Sequence, residues 1–272
     1  MKISTKWLFS ALLGAAVNLA TAHAGELRVG IECTSFPFNY RDATGNYAGY
    51  DVDVANEIGQ RLGDKVEFVC QKWDGMIPAL LANKFDLIVA SMGITEERQK
   101  KIDFSRPYRI SVGRFVAPTG AKLTLFKPDG TLDPEAFKSI KVGLQRSTTY
   151  DDWLKAKMPN ANVMRYDTVE ALFLDIKAGR VDTIMTNPMK AHDAFLSKPE
   201  GAGFGFVGPE ISDDKLFGAG AGVGLRKGNE ALLVKIDKAI AGMTDDGSLD
   251  RFSRKYFPFP IYPRDWKPTT TN

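Results

Sequence analysis

Ser91-Met92-Gly93-Ile94-Thr95-Glu96-Glu97-Arg98, preceded by Phe85-Asp86-Leu87-Ile88-Val89-Ala90, is the stretch whose reading decides the fold. The apolar run 85–90 reads as a buried parallel strand. Thr95 is placed to cap a helix, with Glu96 and Glu97 in its first turn, where acidic side chains suit the helix dipole. Ser91, Met92 and Gly93 then form a small-residue turn at the carboxyl end of a strand, where open α/β sheets hold ligands. Arg98, early in the helix, is placed to swing its guanidinium over that turn and fork onto a carboxylate.

The same alternation extends in both directions. Leu27 to Ile31 and Val66 to Val69 read as strands, with a helix between them carrying Val54, Ile58 and Leu62 and stopped by Gly63. Trp73-Asp74 leads into a helix of Met76, Ile77, Leu80 and Leu81, with Pro78 tolerated in the first turn. After an extended segment through Val112 to Pro118 the pattern restarts. Lys141 to Leu144 is a strand, and Gln145-Arg146-Ser147-Thr148-Thr149 is a polar turn at its end, suited to an anion nest at a helix start. Val163 to Tyr166 and Val181 to Met185 are further strands, and Asn187 stands just past the last. Phe217-Gly218 to Leu225-Arg226 reads as a final strand, followed by a helix with Leu233, Ile236, Ile240 and Met243 on one face. The expected class is α/β, with two lobes of mixed, mostly parallel sheet flanked by helices.

The first residues have a leader pattern: Lys2 and Lys6, a short apolar run from Trp7 to Leu13, and Ala22-His23-Ala24. This predicts a secretory signal peptide over 1–24, cleaved after Ala24, and a periplasmic protein. The chain carries 36 basic and 33 acidic residues; removing Lys2 and Lys6 leaves 34 against 33, a balance of +1. Such a surface gives no electrostatic reason to seek nucleic acid or anionic membrane. Hydrophobic residues make up 44% of the chain, enough for a full core. Cys33 and Cys70 each follow a predicted strand, and export permits either one disulfide or two buried thiols. His192 is the one histidine after the leader, and no metal-ligand spacing is present. No cofactor is expected.

If the two units face each other, Glu32, Ser91 and Arg98 from the first converge with Ser147, Thr148 and Asn187 from the second. Phe36 and Trp73 would supply aromatic walls. Arg98 and the 147–148 turn suit a carboxylate. Glu32 beside Trp73 suits an ammonium or guanidinium, by charge and by cation–π contact.

Five pieces in order carry a family resemblance: Gly49-Tyr50-Asp51-Val52-Asp53, Trp73-Asp74-Gly75-Met76-Ile77-Pro78, Ile94-Thr95-Glu96-Glu97-Arg98, Val142-Gly143-Leu144-Gln145-Arg146-Ser147-Thr148-Thr149 and Gly222-Val223-Gly224-Leu225-Arg226-Lys227. Over nearly all of 25–257 the chain resembles periplasmic solute-binding proteins of the polar amino acid class, the receptors of ABC importers. The resemblance implies a type II two-lobed fold, with 25–112 and 209–272 in lobe 1, 113–208 in lobe 2 and a two-stranded hinge. It implies a receptor that closes on one ligand and delivers it to an inner-membrane permease; nothing in the sequence suggests an obligate interface, and a monomer is expected.

It also implies that Arg98 pairs with the ligand α-carboxylate, helped by Ser91, Gly93, Thr148 and Thr149. Glu32 and Trp73 then face the ligand side chain. Departures bear on the ligand: Asn187 stands where Asp is common, Ala90 where Ser is common, and Ser35 where an aromatic is common. Opine-binding relatives resemble this chain in having Glu, Trp and Asn at these places. The expected ligand is therefore a basic amino acid or an arginine-derived opine, with histidine or glutamine as alternatives. A competing class, exported cyclohexadienyl dehydratases, would need a general acid such as Glu32 over a ring substrate.

Overall fold

The computed structural model describes residues 25–264, arranged as two lobes, each built around its own five-stranded sheet. The predicted leader and its cleavage point lie outside the described residues.

The first lobe begins with β1 (Glu26–Ile31), in which Leu27, Val29 and Ile31 are buried. A small antiparallel sheet follows: β2 (Thr34–Ser35), β3 (Asn39–Arg41) and β4 (Tyr47–Ala48). Strands of two or three residues are too short to show alternation in sequence. Then come α1 (Tyr50–Leu62), β5 (Lys65–Cys70), α2 (Met76–Leu81), β6 (Leu87–Ile88), α3 (Glu96–Gln99) and β7 (Asp103–Arg109). Gly63 ends α1 in the left-handed conformation, and Thr95 caps α3 by accepting from the Arg98 amide.

The chain then builds the second lobe from β8 (Gly113–Pro118), α4 (Pro134–Ser139), β9 (Lys141–Gln145), α5 (Thr149–Lys157), β10 (Asn162–Tyr166), α6 (Val169–Lys177), β11 (Thr183–Thr186), α7 (Pro188–Ala191) and β12 (Phe204–Ile211). A π-helical turn, His192–Leu196, extends α7. The chain returns to the first lobe for β13 (Ala221–Leu225), α8 (Glu230–Asp245) and α9 (Ser248–Tyr256).

The first sheet has the order β5-β1-β6-β13-β7, and the second β10-β9-β11-β8-β12. In the first, β5, β1 and β6 are parallel, while β13 runs antiparallel to both its neighbours. In the second, β10, β9 and β11 are parallel and β8 is antiparallel to β11 and β12. Both sheets are therefore mixed, because each lobe closes with a strand arriving from the other. Residues 110–112 and 212–220 make the two passages between the sheets.

Helices α1, α8 and α9 cover one face of the first sheet, burying Val54, Ile58, Ile236, Ile240 and Leu249 against Val29 and Ile31. Full burial of each such side chain contributes roughly 1.5–3 kcal/mol. Met76, Leu80, Phe85 and Ile102 pack the other face. Phe217 departs from the expected strand. Positive φ at Gly218 and Gly220 turns the chain before β13, and Phe217 packs instead in the second lobe with Trp153, ring centroids 6.0 Å apart.

Gly49, just before α1, has φ 120°, and a Cβ there would lie 2.2 Å from the Phe38 carbonyl oxygen. A left-handed backbone against a rigid carbonyl leaves no room for a side chain. Gly49→Ala should therefore destabilise the protein by more than about 2 kcal/mol in urea denaturation. Gly45→Ala, whose Cβ meets nothing within 4 Å, should cost less than half as much.

Candidate functional site

The carboxyl ends of the parallel strands of both lobes meet across a cleft, which contains about 570 Å³ of space including its open mouth. From the first lobe Glu32, Trp73, Ser91, Gly93 and Arg98 line it; from the second, Gln145, Thr148, Thr149 and Asn187. Three residues of the sequence reading do not. Phe36 turns outward, packing edge-on to Tyr40 with centroids 4.8 Å apart and under Lys198, while Phe38 takes the place in the cleft wall. The Met92 side chain is buried in the core beside Met76 and Ile102. The Ser147 residue is exposed and contributes its carbonyl alone.

The lobes touch directly. Trp73 Nε1 donates to the Ser147 carbonyl at 3.0 Å, and Arg98 Nη2 donates to the same oxygen at 3.1 Å. Gln145 Nε2 donates to Glu32 Oε1 at 2.5 Å. The structure is thus a closed arrangement.

At one end of the cleft Arg98 Nη1 donates to the Gly93 carbonyl at 3.0 Å, and the guanidinium carbon sits 5.5 Å from the Trp73 ring centroid. Arg98 as a residue is half-buried, but its head lies between the lobes and meets no carboxylate at salt-bridge distance among the described residues. Desolvation lowers its pKa to about 10, against the pull of Asp152 and Tyr150. Beside it, Gly93 and the start of α5 at Thr149 stand against one another across the lobe boundary. A Cβ on Gly93 would stand 3.2 Å from Thr149 Cγ2. Thr148 caps α5, accepting from the Asp151 amide and donating to the Gln145 carbonyl. A guanidinium with no carboxylate at salt-bridge distance among the described residues, next to a helix N-terminus, is suited to an anion.

At the other end Glu32 is 9% exposed. Burial raises its pKa, opposed by Lys190, Gln145 and Ser35. The disulfide Cys33–Cys70 ties the end of β1 to the end of β5 beside it, with Cα atoms 5.5 Å apart. Glu32 is held from behind: Asn39 Oδ1 accepts from the Glu32 and Cys33 amides at 2.8 and 3.2 Å. Asn39 Nδ2 in turn donates to Asp51 at 2.7 Å.

Asp51, fully buried at the start of α1, also accepts from Ser91 Oγ at 2.9 Å and from Tyr108 Oη at 2.9 Å. Desolvation pushes its pKa up, and Arg109, Asn39, Ser91 and Tyr108 counter this. The Ser91 amide donates to Tyr108 Oη, and Ser91 Oγ accepts from Arg109 Nε at 3.0 Å. Ser91 therefore spends its amide and hydroxyl within the protein, and its place in the wall is that of a spacer held at φ 53°. Cys33 and Ser147 also have positive φ, so the cleft turns carry local backbone strain at three points.

Asn187 is likewise occupied. Its Oδ1 accepts from the Met189 and Lys190 amides, capping α7, and its Nδ2 points to the Val112 carbonyl at 3.4 Å. Several lining residues were not singled out from sequence: Phe38, Arg109, Ser111, Tyr150, Thr186 and Lys190. Arg109 at the end of β7 and Lys190 in the first turn after Asn187 follow the same strand-end rule that picked out the others, so the signal was present.

Residues 27–259 match the family described as Bacterial extracellular solute-binding proteins, family 3, and the chain belongs to it. Among its relatives, the L-arginine-binding protein of Pseudomonas aeruginosa is 36% identical over 94% of this chain and 97% of its own. The lysine/arginine/ornithine-binding periplasmic protein of Escherichia coli is 32% identical over 92% of this chain and 94% of its own. A solved structure described as an ancestral arginine-binding protein bound to arginine superposes with TM-score 0.77 at 37% identity, covering 86% of this chain and 98% of that one. The fold is that of the two-lobed type II periplasmic binding proteins, and the chain is a solute-binding receptor, as its named relatives are.

Removing the Asp51 charge leaves Arg109 without its counter-ion and loosens both Asn39 and Ser91. Asp51→Asn should cost about 3 kcal/mol in urea denaturation of ligand-free protein, the range for breaking a buried charged network. An unchanged midpoint would contradict this arrangement.

Proposed function

We propose that this protein is the extracytoplasmic receptor of an ABC importer and captures a basic amino acid, arginine or a close derivative, in the interlobe cleft. The observation that carries the reading is the Arg98 guanidinium, enclosed between the lobes with carbonyl acceptors and no carboxylate. The ligand α-carboxylate supplies the missing anion, held also by the Gly93 amide and the start of α5. The ligand side chain runs along Trp73 towards Glu32, where its cation meets the buried carboxylate. The named relatives that bind arginine, lysine or ornithine support this choice of ligand.

Binding needs no chemistry. The lobes, joined by residues 110–112 and 212–220, open and close about these passages, and the ligand favours the closed form by contacts it makes with both lobes at once. The protein works in the periplasm as a monomer after cleavage at Ala24, and hands its ligand to an inner-membrane permease. Among the described residues Glu32 is the one carboxylate lining the cleft, and no histidine lines it.

Calorimetry on refolded, ligand-free mature protein tests the reading. Arginine, lysine or ornithine should bind, and Arg98→Met should weaken that binding at least about a hundredfold, or ~3 kcal/mol. No binding of any basic amino acid derivative, or full affinity in the variant, would refute it.

A further inference from the structure

Each passage between the lobes is held from both sides. On the first, Ile110 belongs to lobe 1: its amide donates to the Ile261 carbonyl at 2.7 Å, and its carbonyl accepts from Arg109 Nη1 at 2.8 Å. Gly113 already pairs in the second sheet, opposite Ile211. On the second passage, the Gly220 carbonyl accepts from the Ile94 amide at 2.8 Å, and a Cβ on Gly218 would stand 1.8 Å from the Ile94 carbonyl oxygen. Both glycines thus lie against lobe 1, while Phe217 is buried in the core of lobe 2. The changeover falls at Ser111 and Val112 on one passage and at the Phe217–Gly218 link on the other.

Tyr150 touches both places. As the second residue of α5, it donates from Oη to the Val112 carbonyl at 2.9 Å, and its ring meets Phe217 edge-on with centroids 5.4 Å apart. Gly113 makes room for it, since a Cβ there would stand 2.9 Å from Tyr150 Cε1. Trp153 and Lys157 share this face of α5 by helical spacing and hold the second passage further along. Trp153 packs on Phe217, and Lys157 pairs with Asp213 at 3.2 Å. The helix whose start stands against Gly93 therefore grips both passages. Tyr150 also lines the cleft, but its hydroxyl is spent on Val112.

We propose that Tyr150 is a positioning residue for ligand capture: it fixes the axis about which the lobes close, so that the start of α5 meets Gly93 and Arg98 in one register. This rests on the receptor reading above and adds how its closure is steered. Contacts close to an axis of rotation change little in length as the lobes swing, so the bond to Val112 is kept through opening and closing. The fit that it guides is tight, with Thr149 Cγ2 only 3.2 Å from where a Gly93 Cβ would stand. A looser axis spreads the closed form over several registers, and the ligand must then order what Tyr150 had ordered in advance.

The test uses Tyr150→Phe, which removes the hydroxyl and keeps the ring, with Thr183→Val as control. Thr183 Oγ1 donates to the Val116 carbonyl at 2.9 Å, a hydroxyl bond to main chain in the same lobe but outside the cleft wall. In calorimetry on refolded, ligand-free mature protein, Tyr150→Phe should weaken arginine binding about fivefold, one neutral hydrogen bond. Stopped-flow fluorescence should place that loss in faster release. Thr183→Val should bind within about twofold of wild type. In hydrogen exchange of the ligand-free proteins, Tyr150→Phe alone should speed exchange across 110–113 and 216–220 at least about threefold. Unchanged affinity in Tyr150→Phe, an equal loss in Thr183→Val, or unchanged exchange overturns the proposal. If the wild type binds no basic amino acid derivative, the receptor reading fails, and the exchange result alone decides whether Tyr150 fixes the axis. If Tyr150→Phe does not fold by circular dichroism, crystal structures of the wild type with and without arginine decide instead. The Tyr150–Val112 bond should persist in both, and its opening in either counts against the proposal.

Discussion

A single buried carboxylate organises both walls of the first lobe's half of the cleft. Asp51 sits at the start of α1 with no exposure, and its oxygens receive Asn39, Ser91 and Tyr108. Through Asn39 it fixes the amides of Glu32 and Cys33; through Ser91 and Tyr108 it fixes the turn that leads to Gly93 and Arg98. Through Ser91 it also holds Arg109. A charge taken out of water demands partners from every side, and the partners are the loops at the strand ends. Those loops therefore inherit a fixed geometry, including left-handed turns at Cys33 and Ser91. The ligand site is pre-organised by a group that does not line it.

The two lobes divide the work differently. The first is rigid through this network, the disulfide and the core that α1, α8 and α9 lay on its sheet. The second presents the start of α5, the Gln145 amide and the capped Asn187. Closure brings Arg98 against a backbone carbonyl where an anion would serve it better. A closed cleft without ligand leaves that guanidinium desolvated, which disfavours closure. In the proposed binding mode a carboxylate bound there would remove the penalty, coupling recognition to closure.

Much of this was legible in the sequence. The α/β rhythm, the cap at Thr95, and the placing of nine of the twelve residues singled out for the cleft follow from periodicity, from the rule that strand ends hold ligands and from the family resemblance. The misses have physical reasons. Phe36 and Phe38 stand two residues apart, and only the geometry of β2 and β3 decides which ring faces the cleft. Met92 lies between Ser91 and Gly93, but its side chain turns into the core. Arg109 reads as an ordinary charged residue ending a strand, and its role depends on Asp51, 58 residues earlier in the chain. Pairings of that range leave no local pattern. Whether Cys33 and Cys70 are joined was likewise open until their strands were seen to be adjacent and in register.

The most direct test of the account is a comparison of arginine with agmatine, which is arginine without its carboxylate, by calorimetry on refolded, ligand-free mature protein. Both carry the guanidinium that Glu32 and Trp73 would receive, so the difference isolates the anion that Arg98 lacks. The account predicts that arginine binds and that agmatine binds at least about a hundredfold more weakly. Equal binding of the two would contradict it, for the enclosed Arg98 would then have no part in recognition.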